Sequence, residues 1–208
     1  MALVSGPCMS VDASGKLGNV LVFSKWKGRN YVRQLVTPIN RKTPKQTGVR
    51  SMMKFIANVW YGLTVPNKAT WDDLAATKEI SPFNAFIGEC LFRWQEWKGP
   101  TKEFPAAESA NAITTTQVVT PGQGFATIVN TPSGAGNNWG IVIMRDTAAI
   151  TAPNWNLCVA VVAANGATAV SHTDAPLEPG TYYYRSAIFN TDGTIGTVCA
   201  DSGAKVVT

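Results

Sequence analysis

TYYYRSAIFN, the stretch from Thr181 to Asn190, decides the fold of the second half of the chain. It follows a Pro-Gly turn signal, precedes Thr-Asp-Gly, and is rich in the aromatic residues that favour strands. Similar short runs separated by turn residues lie at about 117–120, 124–130, 139–145, 157–163, 167–172 and 195–199 with 204–207. Seven or so strands with turn signals about every 8–12 residues predict a β-sandwich over residues 117–208.

Upstream of this region the apolar residues follow a helical period. Thr43-Pro44 predicts a helix start, and the apolar positions after it lie on one helix face. A second helix is expected from about Thr64 or Pro66, and a third from Ser81-Pro82 to the Gly99-Pro100 stop. Residues 99–116 lose this period and gain Pro, Ala, Thr and Ser, which predicts a linker.

The first residues of the chain predict strands instead of helices. Two β-like runs, 18–24 and 30–36, flank Lys25-Trp-Lys-Gly-Arg29, so we expect a hairpin. Residues 1–17 are expected to form an extended arm. The predicted fold class is therefore α+β: an arm (1–17), a basic hairpin and three-helix domain (18–98), a linker (99–116) and an immunoglobulin-like sandwich (117–208).

The charge of the chain is distributed unevenly. No acidic residue lies between Asp12 and Asp72, whereas that interval holds eleven Lys and Arg residues. Residues 1–102 carry 15 basic and 6 acidic groups, and residues 103–208 carry 3 and 7. The front half should therefore meet an acidic or polyanionic partner. Charged residues make up only 15% of the chain, which suggests that other chains cover part of its surface.

The candidate partner-binding residues belong to this basic interval. A solvated positive face, a nucleic-acid site with aromatic stacking, and a surface that docks on an acidic protein lattice all remain open. The lattice interpretation fits best because it also explains the low overall charge and the arm. The candidates are Lys25, Trp26, Lys27, Arg29, Arg33, Arg41, Lys42, Lys45 and Arg50.

The sequence offers no catalytic or cofactor-binding constellation. His172 is the single histidine, and the four cysteines form no Cys-x-x-Cys pair, so neither a zinc site nor an enzyme is expected. A bridge between Cys158 and Cys199 stays open. No apolar run approaches a membrane span, and the N-terminus lacks a secretory signal, so assembly in a reducing cytosol is expected.

Two stretches resemble known families. Leu177 to Gly196, with its Pro-Gly turn, tyrosine-rich strand and Asn-x-Asp-Gly turn, resembles the last strands of fibronectin type III and related immunoglobulin-like modules. Trp139 fits the core tryptophan of such a module. The pattern Gly15-Lys-Leu-Gly-Asn-Val-Leu-Val-Phe, Tyr31-Val-Arg33 and Asn40-x-x-Thr-Pro-x-Gln46, continued through Arg50, Trp60 and Trp71, resembles an uncharacterised family of phage and prophage proteins.

These resemblances imply a viral setting. We expect a bacteriophage virion structural protein, first of all a capsid decoration or cement protein that is homo-oligomeric and docks on other virion proteins such as the major capsid protein. A tail or head–tail component, a nucleic-acid-associated basic protein and a host-surface adhesin are the alternatives. No membrane partner is expected.

Overall fold

The computed structural model describes residues 2–3, 14–37, 43–110, 113–134, 136 and 138–208. It divides the chain into two compact units, residues 1–41 and 42–208. Helices and antiparallel sheets are both present, so the predicted α+β class is confirmed.

The first unit is a four-stranded antiparallel sheet with the order β1-β4-β3-β2. Its strands are β1 (Ala2–Leu3), β2 (Gly15–Leu17), β3 (Leu21–Trp26) and β4 (Arg29–Gln34). The predicted hairpin is β3 and β4, closed by Lys27 and Gly28 with φ of 48° and 77°. Two positive φ angles in a two-residue loop match the twist of the flanking strands. Most of the predicted arm, residues 4–13, lies outside the described residues.

The second unit begins with helices. Both predicted cap-and-proline signals mark a helix start, and at the later one the Ser81 hydroxyl accepts a hydrogen bond from the Asn84 N–H. The second predicted helix is instead two short helices, α2 and α3. Within residues 43–110 the helices are α1 (Pro44–Gly62), α2 (Val65–Ala69), α3 (Asp72–Thr77) and α4 (Pro82–Gln95).

Six of the predicted β regions contain a strand, and in the seventh only the 204–207 part does, because residues 195–199 form no strand and make a single isolated bridge from Ile195 to Phe189. The three-stranded sheet has the order β5-β6-β9 and the four-stranded sheet the order β11-β10-β7-β8. A 3-10 turn at Trp155–Leu157 precedes β8. The strands are β5 (Thr115–Pro121), β6 (Ala126–Pro132), β7 (Asn138–Asp146), β8 (Cys158–Ala163), β9 (Val170–Asp174), β10 (Gly180–Asn190) and β11 (Lys205–Val207).

The four-stranded sheet is covered on both faces. Along β7, Ile141 and Ile143 point into a core shared with the three-stranded sheet. Val142 and Met144 point the other way, into a core shared with α1 and α4. Because successive side chains of a strand alternate between faces, one apolar strand serves two cores. The second unit therefore has three layers: sheet, sheet and helices.

Trp139 departs from the expected core position. It sits at a bulge, because Asn190 pairs with Asn138 and Phe189 with Gly140. The extra residue reverses the alternation of β7 at this point. Trp139 is half-buried and meets Phe55 of α1 edge to face, with ring centroids 6.0 Å apart. It therefore packs in the helical core and not between the two sheets.

The predicted boundary at residues 99–116 does not separate two compact units. Thr101 is fully buried, and the N–H groups of Gly99, Lys102 and Glu108 donate to the carbonyl oxygens of the turn at 191–193, which follows β10. The segment of irregular composition therefore pairs with this turn. The helices bury their apolar stripe against the sheet, so they share one compact unit with residues 117–208, whereas the hairpin of the predicted 18–98 domain belongs to the first unit.

Arg93 of α4 holds the same turn. Its guanidinium is buried and donates to the carbonyl oxygens of Gly99 and Gly193, at 3.3 and 3.0 Å, and to Glu108 at 3.0 Å. Hydrogen bonds from Ser109 and Lys102 lower the pKa of Asp192 in the turn. A single helix residue thus ties helix, connector and sheet together.

Replacing Arg93 by Leu should lower the free energy of unfolding of the second unit by about 1–3 kcal/mol, because the Gly99 carbonyl loses the Arg93 donor and the Gly193 carbonyl keeps only the Gly99 N–H. Lys98→Met is the matched control, since Lys98 contacts the same Glu108 from an exposed position and surface pairs contribute little. Urea unfolding of both variants checks this. Equal losses would contradict the bridging role of Arg93.

Helix α1 lies unusually close to β8, the edge strand of the four-stranded sheet. A side chain at Gly48 would collide with the carbonyl oxygen of Cys158. One turn further, the Ser51 hydroxyl accepts from the Val161 N–H at 2.7 Å and donates to the Val161 carbonyl oxygen at 3.2 Å. The helix therefore covers the edge strand and satisfies backbone groups that would otherwise lack partners.

Two helix glycines allow a test of this packing. Gly48→Ala should destabilise the fold by about 1–3 kcal/mol because α1 must move away from β8. Gly88→Ala should stabilise it by about 0.5–1 kcal/mol, since a Cβ there meets nothing within 4 Å. Chemical denaturation of the two variants measures both signs. A neutral or stabilising Gly48→Ala would overturn the close approach.

Candidate docking sheet

The register of the first unit assigns its side chains to two faces. Residues directly opposite each other in an antiparallel pair share a face. Trp26 pairs with Arg29, Ser24 with Tyr31, and Val22 with both Arg33 and Lys16. Phe23 pairs with Val32 and Leu21 with Leu17. We call the first set the basic face (Lys16, Val22, Ser24, Trp26, Arg29, Tyr31, Arg33) and the second the apolar face (Leu17, Leu21, Phe23, Val32, with Lys25, Asn30 and Gln34 at its ends).

The basic face combines cations with aromatic rings. Arg29, Tyr31 and Arg33 alternate along β4, with both arginines exposed. Trp26 is 65% exposed on the neighbouring strand, and the ammonium group of Lys27 lies 4.8 Å from its ring centroid. Residues 14–37 contain five basic residues and no acidic one. The basic face can therefore attract a negatively charged partner, and the exposed Trp26 ring can stack on a flat group of that partner.

The apolar face is only partly buried: Leu21, Phe23 and Val32 are half-buried, and Leu17 is exposed. No residue between 14 and 37 is buried, even though Phe23, Leu21 and Val32 belong to the two inner strands. Leu17 remains 58% exposed. Small sheets need an apolar face packed against another layer for stability. This unit therefore lacks a hydrophobic core of its own, in contrast to residues 42–208.

The formal net charge of the chain also lies in this unit. Residues 1–41 hold six basic groups and one acidic group, whereas residues 42–208 hold twelve of each. The whole formal charge of +5 is therefore carried by 41 residues, and the larger unit is formally neutral. Electrostatic attraction to an acidic partner should act on the first unit.

The structure unites some of the predicted partner-binding residues and separates others. Trp26, Arg29 and Arg33 share the basic face, Lys27 forms the turn, and Lys25 belongs to the apolar face. Arg41 and Lys42 lie outside the described residues. Lys45 and Arg50 belong to α1 in the second unit, where the Lys45 ammonium lies 4.9 Å from the Trp155 ring centroid.

Four members of the basic face are not among the predicted partner-binding residues: Lys16, Val22, Ser24 and Tyr31. Tyr31 fits the aromatic-stacking interpretation of the basic interval, and its alternation with Arg29 and Arg33 along β4 places it on their face. Lys16 could not be found from alternation, since its face depends on the pairing of β2 with β3.

The second unit carries a groove between α1, β8 and β9. Its volume is about 440 Å³, and its lining includes Lys54 and Asn58 of α1, Val161 of β8 and His172 of β9. His172 also borders a neighbouring cavity of about 160 Å³. Burial lowers the pKa of His172, against an opposing effect of the Asp174 carboxylate.

Beside His172, a polar network joins the two sheets. The Arg145 guanidinium of β7 contacts the Asp174 carboxylate of β9 at 2.7 Å. The hydroxyl of the buried Tyr184 of β10 donates to the same carboxylate at 3.1 Å. Burial, followed by the Asp174 charge, raises the pKa of Tyr184. The network connects strands of both sheets and is a structural feature of the sandwich.

The described cysteines are unpaired thiols. Cys90, Cys158 and Cys199 are free and buried, so the open question of a Cys158–Cys199 bridge is answered against pairing. Burial raises the pKa of Cys90 to about 12 and also raises that of Cys158 and Cys199. Within the described ranges no three His, Cys, Asp or Glu residues are grouped for metal binding.

The comparisons with known proteins are negative: the chain matches no family model, no curated protein and no solved structure. Among the described residues, no helix has both the length and the apolar character needed to cross a bilayer.

Acidification should test the environment of His172. A histidine with a lowered pKa in the folded state stabilises the fold above its unfolded pKa of about 6.5, and that contribution is lost as the pH falls below this value. Between pH 7.5 and 5.5 the native chain should therefore lose more unfolding free energy than His172→Gln. Urea unfolding at each pH measures the difference. Parallel curves would contradict the burial effect, since the carboxylates are common to both proteins.

Proposed function

We propose that this chain is a structural protein of a bacteriophage virion, and within that class a capsid decoration or cement protein. Its N-terminal unit docks on acidic virion proteins, the major capsid protein first among them, and its second unit projects from the particle or bridges neighbours. The resemblance of residues 15–75 to phage and prophage proteins supports the viral setting.

The observation that carries the docking role is that no residue of the sheet formed by residues 14–37 is fully buried. A sheet with no buried residue is stabilised when another surface covers its apolar face. The charge of +5 adds long-range attraction to an acidic surface. The second unit, by contrast, has two cores and no net formal charge, so it needs no partner to fold.

The strand order of the second unit supports the proposal. We assign it to the immunoglobulin-like sandwiches because its first, second and fifth strands form one sheet, and its third, sixth and seventh lie in the other. Its fourth strand, β8, pairs with the third. The Asn-x-Asp-Gly segment at 190–193 forms a turn after β10, although the final strand begins only at Lys205.

Many copies on one particle strengthen weak docking. Once one contact of an oligomer forms, further contacts act at high effective concentration. A repeated lattice can therefore retain a decoration protein even when each copy of a small, short-stranded sheet binds weakly. A homo-oligomeric or multiply bound state is therefore part of the proposal.

Particles prepared without the protein provide the test. Added full-length chain should bind them at a fixed number of copies, and residues 42–208 should stay folded but fail to bind. Mass spectrometry of natural virions and electron microscopy of the reconstituted particles would check both. Absence from the virion, or equal binding of residues 42–208, would overturn the proposal. Density at the neck or tail would assign the chain there instead.

A matched pair of substitutions separates docking from general hydrophobicity. Leu17→Ser on the apolar face should weaken particle binding about tenfold, because burial of a leucine side chain contributes roughly 1.5–3 kcal/mol. Val20→Ser, in the turn between β2 and β3, starts from a similar exposure of 63% and should change binding little. Equal effects would contradict docking through the apolar face.

A further inference from the structure

We propose that the basic face of the first unit is a binding site for single-stranded nucleic acid. This activity goes beyond the virion role and does not depend on it, because docking uses the apolar face. The face consists of Lys16 on β2, Trp26 on β3, and Arg29, Tyr31 and Arg33 on β4, brought to one side of the sheet by the register.

The cations are spaced so that they can contact successive phosphates of a nucleic-acid backbone. Arg29 and Arg33 are four residues apart on one strand, which separates their Cα atoms by about 13 Å. Tyr31 lies between them on the same face, and Lys16 extends the positive charge onto β2. With no acidic residue in 14–37, nothing on these strands opposes a phosphate backbone. Arginine forks also suit phosphate oxygens.

The aromatic residues distinguish among polyanions. Trp26 is 65% exposed directly across from Arg29, and an exposed flat ring is a stacking platform for an unpaired base. The bases of a duplex are already stacked on each other inside the helix. Carboxylates on a protein surface have no aromatic ring that could stack on Trp26. The Lys27 ammonium beside the Trp26 ring adds a further cation near the same base.

The Trp26 ring lies at the turn end of the hairpin. The two-residue turn at Lys27 and Gly28 ends the ladder at the Trp26–Arg29 pair, so the ring stands at the free end of the sheet. Tyr31 is half-buried and lies two residues further along β4. A strand of nucleic acid crossing the face would meet a ring, a cation and a second ring in succession.

Fluorescence anisotropy with labelled oligo(dT)20 tests the proposal on the full-length protein. Binding should weaken with salt, with a logarithmic slope of about −2 for three phosphate contacts on a single strand. Trp26→Ala should weaken binding roughly 5- to 150-fold, the range for loss of one stacked base. Trp26→Phe keeps a ring and should stay within about threefold of the native protein.

A matched charge pair assigns the binding to one face. Arg33→Gln and Lys25→Gln remove the same charge from neighbouring inner strands, but Arg33 belongs to the basic face and Lys25 to the apolar face. Arg33→Gln should weaken oligo(dT)20 binding by about tenfold and Lys25→Gln by less than about threefold. Circular dichroism confirms that each variant keeps its strands.

Three outcomes would overturn the proposal. Equal effects of Arg33→Gln and Lys25→Gln would show that net charge alone attracts the oligonucleotide. Tighter binding to a duplex of equal length than to oligo(dT)20 would exclude base stacking. Tighter binding to a poly-glutamate peptide, with the same sensitivity to Arg33→Gln, would assign the face to an acidic protein. Virion binding is measured separately, so its failure leaves this result intact.

Discussion

The packing of α1 against the edge of the four-stranded sheet is the contact on which the rest of the second unit depends. Gly48 allows the helix backbone to approach Cys158, and Ser51 satisfies both backbone groups of Val161. This contact brings Phe55 and Ile56 onto the sheet and creates the second core. Without it β8 would present an open edge, and the apolar face of the helices would lack a cover. Arg93 then secures the opposite side of the same interface, where the connector meets the turn at Gly193.

Those contacts give residues 42–208 their cores, and the two units of the chain differ in burial and in charge. The larger unit has two buried apolar cores and balances its formal charges. The smaller unit keeps the net charge and exposes apolar side chains on the strands of a small sheet. Exposed apolar surface beside concentrated charge is typical of an interaction module. The proposals for docking and for nucleic-acid binding both rest on this contrast, and they use opposite faces of the same strands.

The two-faced character of the first unit also changes how its charge is understood. Along the sequence, the basic residues from Lys16 to Lys68 look like one continuous run. In the structure, Lys45 and Arg50 belong to a different unit from the sheet. Within the hairpin, Lys25 of β3 and Arg33 of β4 lie on opposite faces, although these two strands are neighbours. Only part of the basic run therefore acts as a single surface, and that part is smaller and more aromatic than the charge count suggested.

The sequence by itself determined the α+β class, the hairpin, the helix starts at Pro44 and Pro82 and the strands of the predicted β regions other than 195–199. These features follow from local chemistry: period-2 and helical patterning, N-caps, prolines and turn glycines act within a few residues. Tertiary structure alone decided that residues 99–110 join the domain, that Trp139 faces the helices, and that Lys16 and Arg33 share a face. Each of these depends on a partner distant in sequence: the turn at 191–193, a bulge opposite β10, and the pairing of β2 with β3. Periodicity shows which residues of one element lie together, but register and packing decide what that face meets.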